Sequence, residues 1–67
     1  MDEFENARRE GQSIETCARE LAQKGDFKDA RLKFIEAERF YKDTGMNWDE
    51  IRCGMIAVSY GYVVNGE

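Results

Sequence analysis

The sequence predicts an all-α protein, a three-helix bundle built from an antiparallel helical hairpin and a third helix. Three observations predict it. Apolar residues recur at alternating three- and four-residue intervals through three successive segments. Glycine-containing pairs, Gly25-Asp26 and Thr44-Gly45, separate those segments. Proline is absent from all 67 residues, so nothing in the chain forbids long helices. The expected helices cover about 2–24, 27–43 and 47–64 of a single small domain.

The first segment places Phe4, Ala7, Gly11, Ile14, Ala18 and Leu21 on one face and charges on the other. Asp2 with Glu5 has capping-box spacing, while Gly11 and Ser13 are points where the helix could break. Gly25 suits the left-handed position after a helix, and Asp26 suits the cap of the next one. The second segment carries the stripe Phe27, Ala30, Phe34, Ala37 and Tyr41, widened by Leu32, Ile35 and Phe40. Asp29–Lys33, Glu36–Arg39 and Glu38–Lys42 have ion-pair spacing on its wet side.

In the third segment Asn47 and Glu50 again have capping-box spacing. Trp48, Ile51, Met55, Val58 and Tyr62 share one face; Ile56, Tyr60 and Val63 form a second apolar strip. No charge occurs from Cys53 to Gly66. Val58, Tyr60, Tyr62 and Val64 also alternate as a strand would, and Gly61 weakens a helix. Helix is preferred because a lone strand has no partner here. The expected core is Ile14, Leu21, Phe27, Ala30, Phe34, Ala37 and Trp48.

Composition narrows the function. Fourteen acidic against ten basic residues give a net charge of -4, a poor match to a phosphate backbone, so no nucleic acid is expected. Histidine is absent, and no catalytic triad, phosphate loop or metal-ligand spacing occurs. No catalytic residue, metal, cofactor or small-molecule substrate is therefore expected. Cys17 and Cys53 are two thiols without further ligands and read as buried and reduced. No run approaches the ~20 apolar residues that cross a bilayer. The first five residues are acidic rather than basic and apolar. A cytoplasmic protein away from membranes is expected.

Ile14, Cys17, Ala18 and Leu21, followed by Gly25, Phe27, Ala30, Phe34 and Ala37, resemble a tetratricopeptide repeat, a hairpin of two antiparallel helices per 34 residues. Lys42 stands where that unit often ends in proline. A shift of 34 residues restarts the pattern: Gly11 falls on Gly45, Ser13 on Asn47, Ile14 on Trp48, Cys17 on Ile51 and Leu21 on Met55. Ala18 falls on Arg52, which departs from the small-residue pattern. The likeness covers about residues 11–58, one unit and a closing helix. Other helical hairpins share its central motif, as do three-helix domains that bind the tails of trafficking complexes. The resemblance implies protein or peptide binding along the first helix, here Gln12, Glu15, Arg19, Ala22 and Gln23.

A stronger signal lies in the third helix. Eight of the ten residues from Met55 to Val64 are hydrophobic, more than a two-helix hairpin can cover. The expected partner-binding residues are therefore Met55, Ile56, Val58, Tyr60, Tyr62 and Val64, with Gln12, Glu15 and Arg19 secondary. The expected partner is another protein or a second copy of the chain, the latter because two-fold pairs are the commonest assemblies. The competing expectation is a small acidic inhibitor that blocks a partner's surface or mimics nucleic acid. Interleaved acid and base along the first two segments favour an ordinary wet surface instead.

Overall fold

Periodicity becomes three helices in the computed structural model: α1 (Asp2–Gln23), α2 (Phe27–Asp43) and α3 (Asn47–Val64). The structure describes the backbone of residues 2–64 and the side chains of residues 5–64. The side chains of Asp2, the expected first cap, and of Phe4 lie outside the described residues. α1 runs unbroken through Gly11 and Ser13. α3 continues past Ser59 to Val64, because the apolar residues there serve both strips of a helix and no strand among the described residues offers pairing.

Both turns use one device. Gly25 and Gly45 have φ of 87° and 78°, the left-handed region that glycine enters without a Cβ penalty. The amide of Asp26 donates to the Leu21 carbonyl and that of Gly25 to Ala22. Met46 to Tyr41 and Gly45 to Lys42 repeat the pattern. These paired bonds satisfy the last carbonyls of α1 and α2. The predicted caps are less faithful. Asp26 takes the cap position of α2 but forms no side-chain cap bond. The cap of α3 is Met46, whose carbonyl accepts from the Glu50 amide. Asn47 is thus already inside the helix, and the expected Asn47–Glu50 box does not form.

α2 lies between its neighbours and packs on both, whereas the backbones of α1 and α3 stay apart. The result is a flattened bundle with extents of 43 × 19 × 12 Å, about one helix thick in its short direction. Its radius of gyration, 12.0 Å, exceeds the ~11 Å of a rounder fold of this length. The core is correspondingly thin. Ala18, Ala30, Phe34, Ala37, Tyr41, Met46, Cys53 and Ala57 are buried. Alanines set the close helix approach, and Phe34 and Tyr41 fill the space this leaves. Ala37→Leu should overpack the contact and lower stability by about 1–3 kcal/mol in urea unfolding.

Several expectations are corrected. Ile14, Leu21 and Phe27 are only half-buried. Trp48, expected in the core beside its register-mate Ile14, is 85% exposed. Ile14 has α2 against its face; the matching face of α3 points away from both other helices. Cys17 is exposed on α1, and only Cys53 is a buried thiol. None of the three expected α2 ion pairs is among the salt bridges of the described residues; Lys33 pairs with Glu36 at 3.2 Å instead.

Candidate docking face

α3 divides its apolar residues between two opposite strips. Cys53 and Ala57 face α2 and are buried, and Ile56 and Tyr60 pack against the same cluster. The Tyr60 ring lies 5.7 Å from Phe27 and 5.6 Å from Phe34. Ile56 and Tyr60, expected at a binding surface, are thus partly buried against the core, and Tyr60 still lines an open groove with Arg19, Ala22, Gln23 and Phe27. The ring of Tyr60 is worth more against two aromatics than in water.

The opposite strip is uncovered. Trp48, Ile51, Met55, Val58 and Tyr62 are all exposed, Met55 by 66%. Their intervals are three, four, three and four residues, the spacing of an a/d seam through which one helix packs against another. A groove of about 540 Å³ runs along the seam, walled by Ile51, Met55 and Val58, floored by Gly54 and rimmed by Glu38 and Glu50. Val64 is exposed as well but turns to another side of the helix. Of the six expected α3 residues, Met55, Val58 and Tyr62 therefore form one face, joined by Trp48 and Ile51.

The secondary trio is divided by the fold. Gln12 and Arg19 are exposed, but Glu15 is only 1% exposed and faces inward. Its Oε2 accepts from the Tyr41 hydroxyl at 2.5 Å and from Arg52 Nη2 at 3.0 Å. Its Oε1 accepts from Arg52 Nη1, and from Arg19 Nη2 at 3.4 Å. Arg52 also donates to Asp49 Oδ1 at 2.8 Å. One carboxylate thereby ties α1 to α2 and to α3, spanning the gap between the backbones of α1 and α3.

The electrostatics follow from burial and pairing. Burial pushes the Glu15 carboxyl up, but hydrogen bonds from Arg52 and Tyr41, with the charges of Arg52 and Arg19, outweigh it and hold it below its ordinary value. Burial first, and then the bond to Glu15, pushes the Tyr41 hydroxyl up. Burial, followed by the nearby Glu15 charge, pushes the Cys53 thiol to about 11, so it stays protonated and unreactive at neutral pH. The Glu15–Tyr41–Arg52 cluster is therefore a structural brace. Among the described residues no group of three or more acidic, cysteine or histidine side chains could hold a metal ion.

Gly11 makes room for the brace. A Cβ there would collide with the Tyr41 ring and lie 2.7 Å from its hydroxyl oxygen. Gly11→Ala should displace Tyr41 from Glu15. Its helix-propensity gain of ~1 kcal/mol is smaller than the packing and hydrogen-bond loss, so a net destabilisation of about 1–2 kcal/mol is expected in thermal or urea unfolding.

The sequence held a signal for this cluster. Glu15 sits four residues after Gly11 and three before Ala18, inside an otherwise small and apolar stripe. Arg52 is the one charged residue where the 34-residue register calls for a small one. Two opposite charges in two apolar stripes mark a buried pair.

No protein-family model matches the chain, and neither the curated proteins nor the solved structures provide a match. No helix among the described residues is long and apolar enough to cross a membrane.

Proposed function

We propose that this protein is a non-catalytic interaction module, a small adaptor or regulator, that docks a helix of another protein chain on the outward face of α3. The observation that carries this reading is the uncovered seam Trp48, Ile51, Met55, Val58 and Tyr62 on a helix whose other side is already packed. An apolar stripe of that length in water is unfavourable unless something covers it. Tryptophan, tyrosine and methionine are also residues that interfaces favour.

A tetratricopeptide-like origin belongs to the same reading. Its support is the burial of Ala18, Ala30, Phe34 and Ala37 at positions where the repeat pattern calls for packing residues. Trp48 and Arg52 depart from that pattern: one turns out to solvent and the other reaches across to Glu15.

A dye that fluoresces on apolar surfaces, such as anilinonaphthalene sulfonate, tests the docking face on dilute protein. Wild type should bind it, and Val58→Lys should lose most of the signal with unchanged helicity. Equal dye binding by wild type and Val58→Lys would place the sticky surface elsewhere.

A further inference from the structure

We infer that the occupant of the α3 seam is the α3 seam of a second copy, packed antiparallel about a two-fold axis. The inference rests on the docking-face reading and adds the identity and direction of the partner. Charge distribution along α3 carries it. Asp49, Glu50 and Arg52 are confined to the first two turns, and no charge follows from Cys53 to Val64. Elsewhere in the described residues acidic and basic side chains cover the outer faces of α1 and α2. Past Arg52, α3 brings no charge of its own to a second copy of this chain of net charge -4; the acids beside its groove, Glu38 and Glu50, stand at the rim rather than on the seam.

Direction follows from the same asymmetry. A parallel pair would set Asp49, Glu50 and Arg52 against their own copies. An antiparallel pair sets each charged end beside the partner's uncharged end. It also sets the two α3 dipoles head to tail, the positive N-terminus of one helix beside the negative C-terminus of the other. In antiparallel seams a positions meet d positions. With Trp48, Met55 and Tyr62 as one set and Ile51 and Val58 as the other, a two-fold axis between Ile56 and Ala57 pairs Met55 with Val58 and Ile51 with Tyr62, each pair occurring twice.

The groove fits this pairing. It opens beside Ile51, where the opposing Tyr62 ring arrives, and its rim carries Glu38 and Glu50. Apolar walls suit the ring, and carboxylates suit its hydroxyl donor. A seam of five side chains per copy is small beside a standard interface of ~800 Å² per partner, so the dimer should dissociate in the micromolar range.

The test has two parts. Sedimentation equilibrium of wild-type protein from ~10 µM to ~1 mM should show a monomer–dimer equilibrium. Cysteine crosslinking then reads direction, in a Cys17→Ser background because Cys17 is exposed. A mixture of Ile51→Cys and Tyr62→Cys proteins should form the mixed disulfide on mild oxidation. Ile51→Cys alone should not, because its two copies would be ~16 Å apart along the axis, beyond disulfide reach. Both positions are exposed, so the variants should keep wild-type helicity. A strict monomer at 1 mM, or crosslinking of Ile51→Cys with itself, would overturn the inference. If the monomer still binds the apolar dye in a Val58-dependent way, the docking face stands and its occupant is a foreign protein. If dye binding also ignores Val58, both readings fail.

Discussion

Arg52→Met should be the most damaging substitution near the surface of this protein, lowering stability by about 3 kcal/mol in urea unfolding. The methionine keeps an unbranched apolar stem, so packing changes little. What disappears is the two-pronged partner of a carboxylate that is 1% exposed. Removing one member of a buried pair costs about 3–5 kcal/mol because the remaining charge is stranded. The lower end applies here, since Tyr41 and Arg19 still reach Glu15 and Arg52 is itself partly exposed. A domain of this length has roughly 3–10 kcal/mol in total, so the loss approaches unfolding.

The same substitution should change the response to acid. Glu15 has a folded-state value below its ordinary one, so its stabilisation is fully present above about pH 4.3, the unfolded-chain value. It is lost as pH falls through the depressed folded value. Wild type should therefore lose this contribution as pH falls below about 4. In Arg52→Met the upward push of burial loses its main opponent, and the acid loss due to Glu15 should shrink. Thermal melts between pH 3 and 7 check both curves.

Val58→Lys should weaken association by about 100-fold or more while leaving the monomer's melting temperature within a few degrees. Val58 is exposed in the monomer, so the lysine lies in water there. In a paired seam it would sit against an apolar partner without a counter-charge, a penalty of several kcal/mol. Sedimentation alongside a thermal melt separates the two effects.

The fold class was legible because periodicity decides it directly. Ala30, Phe34, Ala37 and Tyr41 recur at helical intervals and are all buried. Gly25 and Gly45 end helices in the conformation that only their missing Cβ makes cheap. Caps were less legible. A side chain of the right type at Asp26 or Asn47 does not guarantee the bond when turn backbone geometry already satisfies the helix end.

The candidate site was half legible. The sequence identifies α3 as carrying two apolar strips, but a helical wheel cannot tell which strip meets α2. Tyr60 and Trp48 exchange their expected roles for that reason. Tyr60 finds Phe27 and Phe34 within stacking distance, while Trp48 lies on the far side of the same helix. Glu15 was hidden by the rule that charges face water. Only its pairing with Arg52, 37 residues away, makes its burial tolerable.

Trp48, the sole tryptophan, reports on the seam directly. It is 85% exposed in the monomer and, in the antiparallel pair, lies within one turn of Tyr62 of the second copy at either end of the seam. Its emission maximum should move to shorter wavelength as concentration rises from ~1 µM to ~500 µM, and Val58→Lys should remove the shift. Emission typical of a water-exposed indole at every concentration, identical in the two proteins, would contradict a seam that a second copy covers.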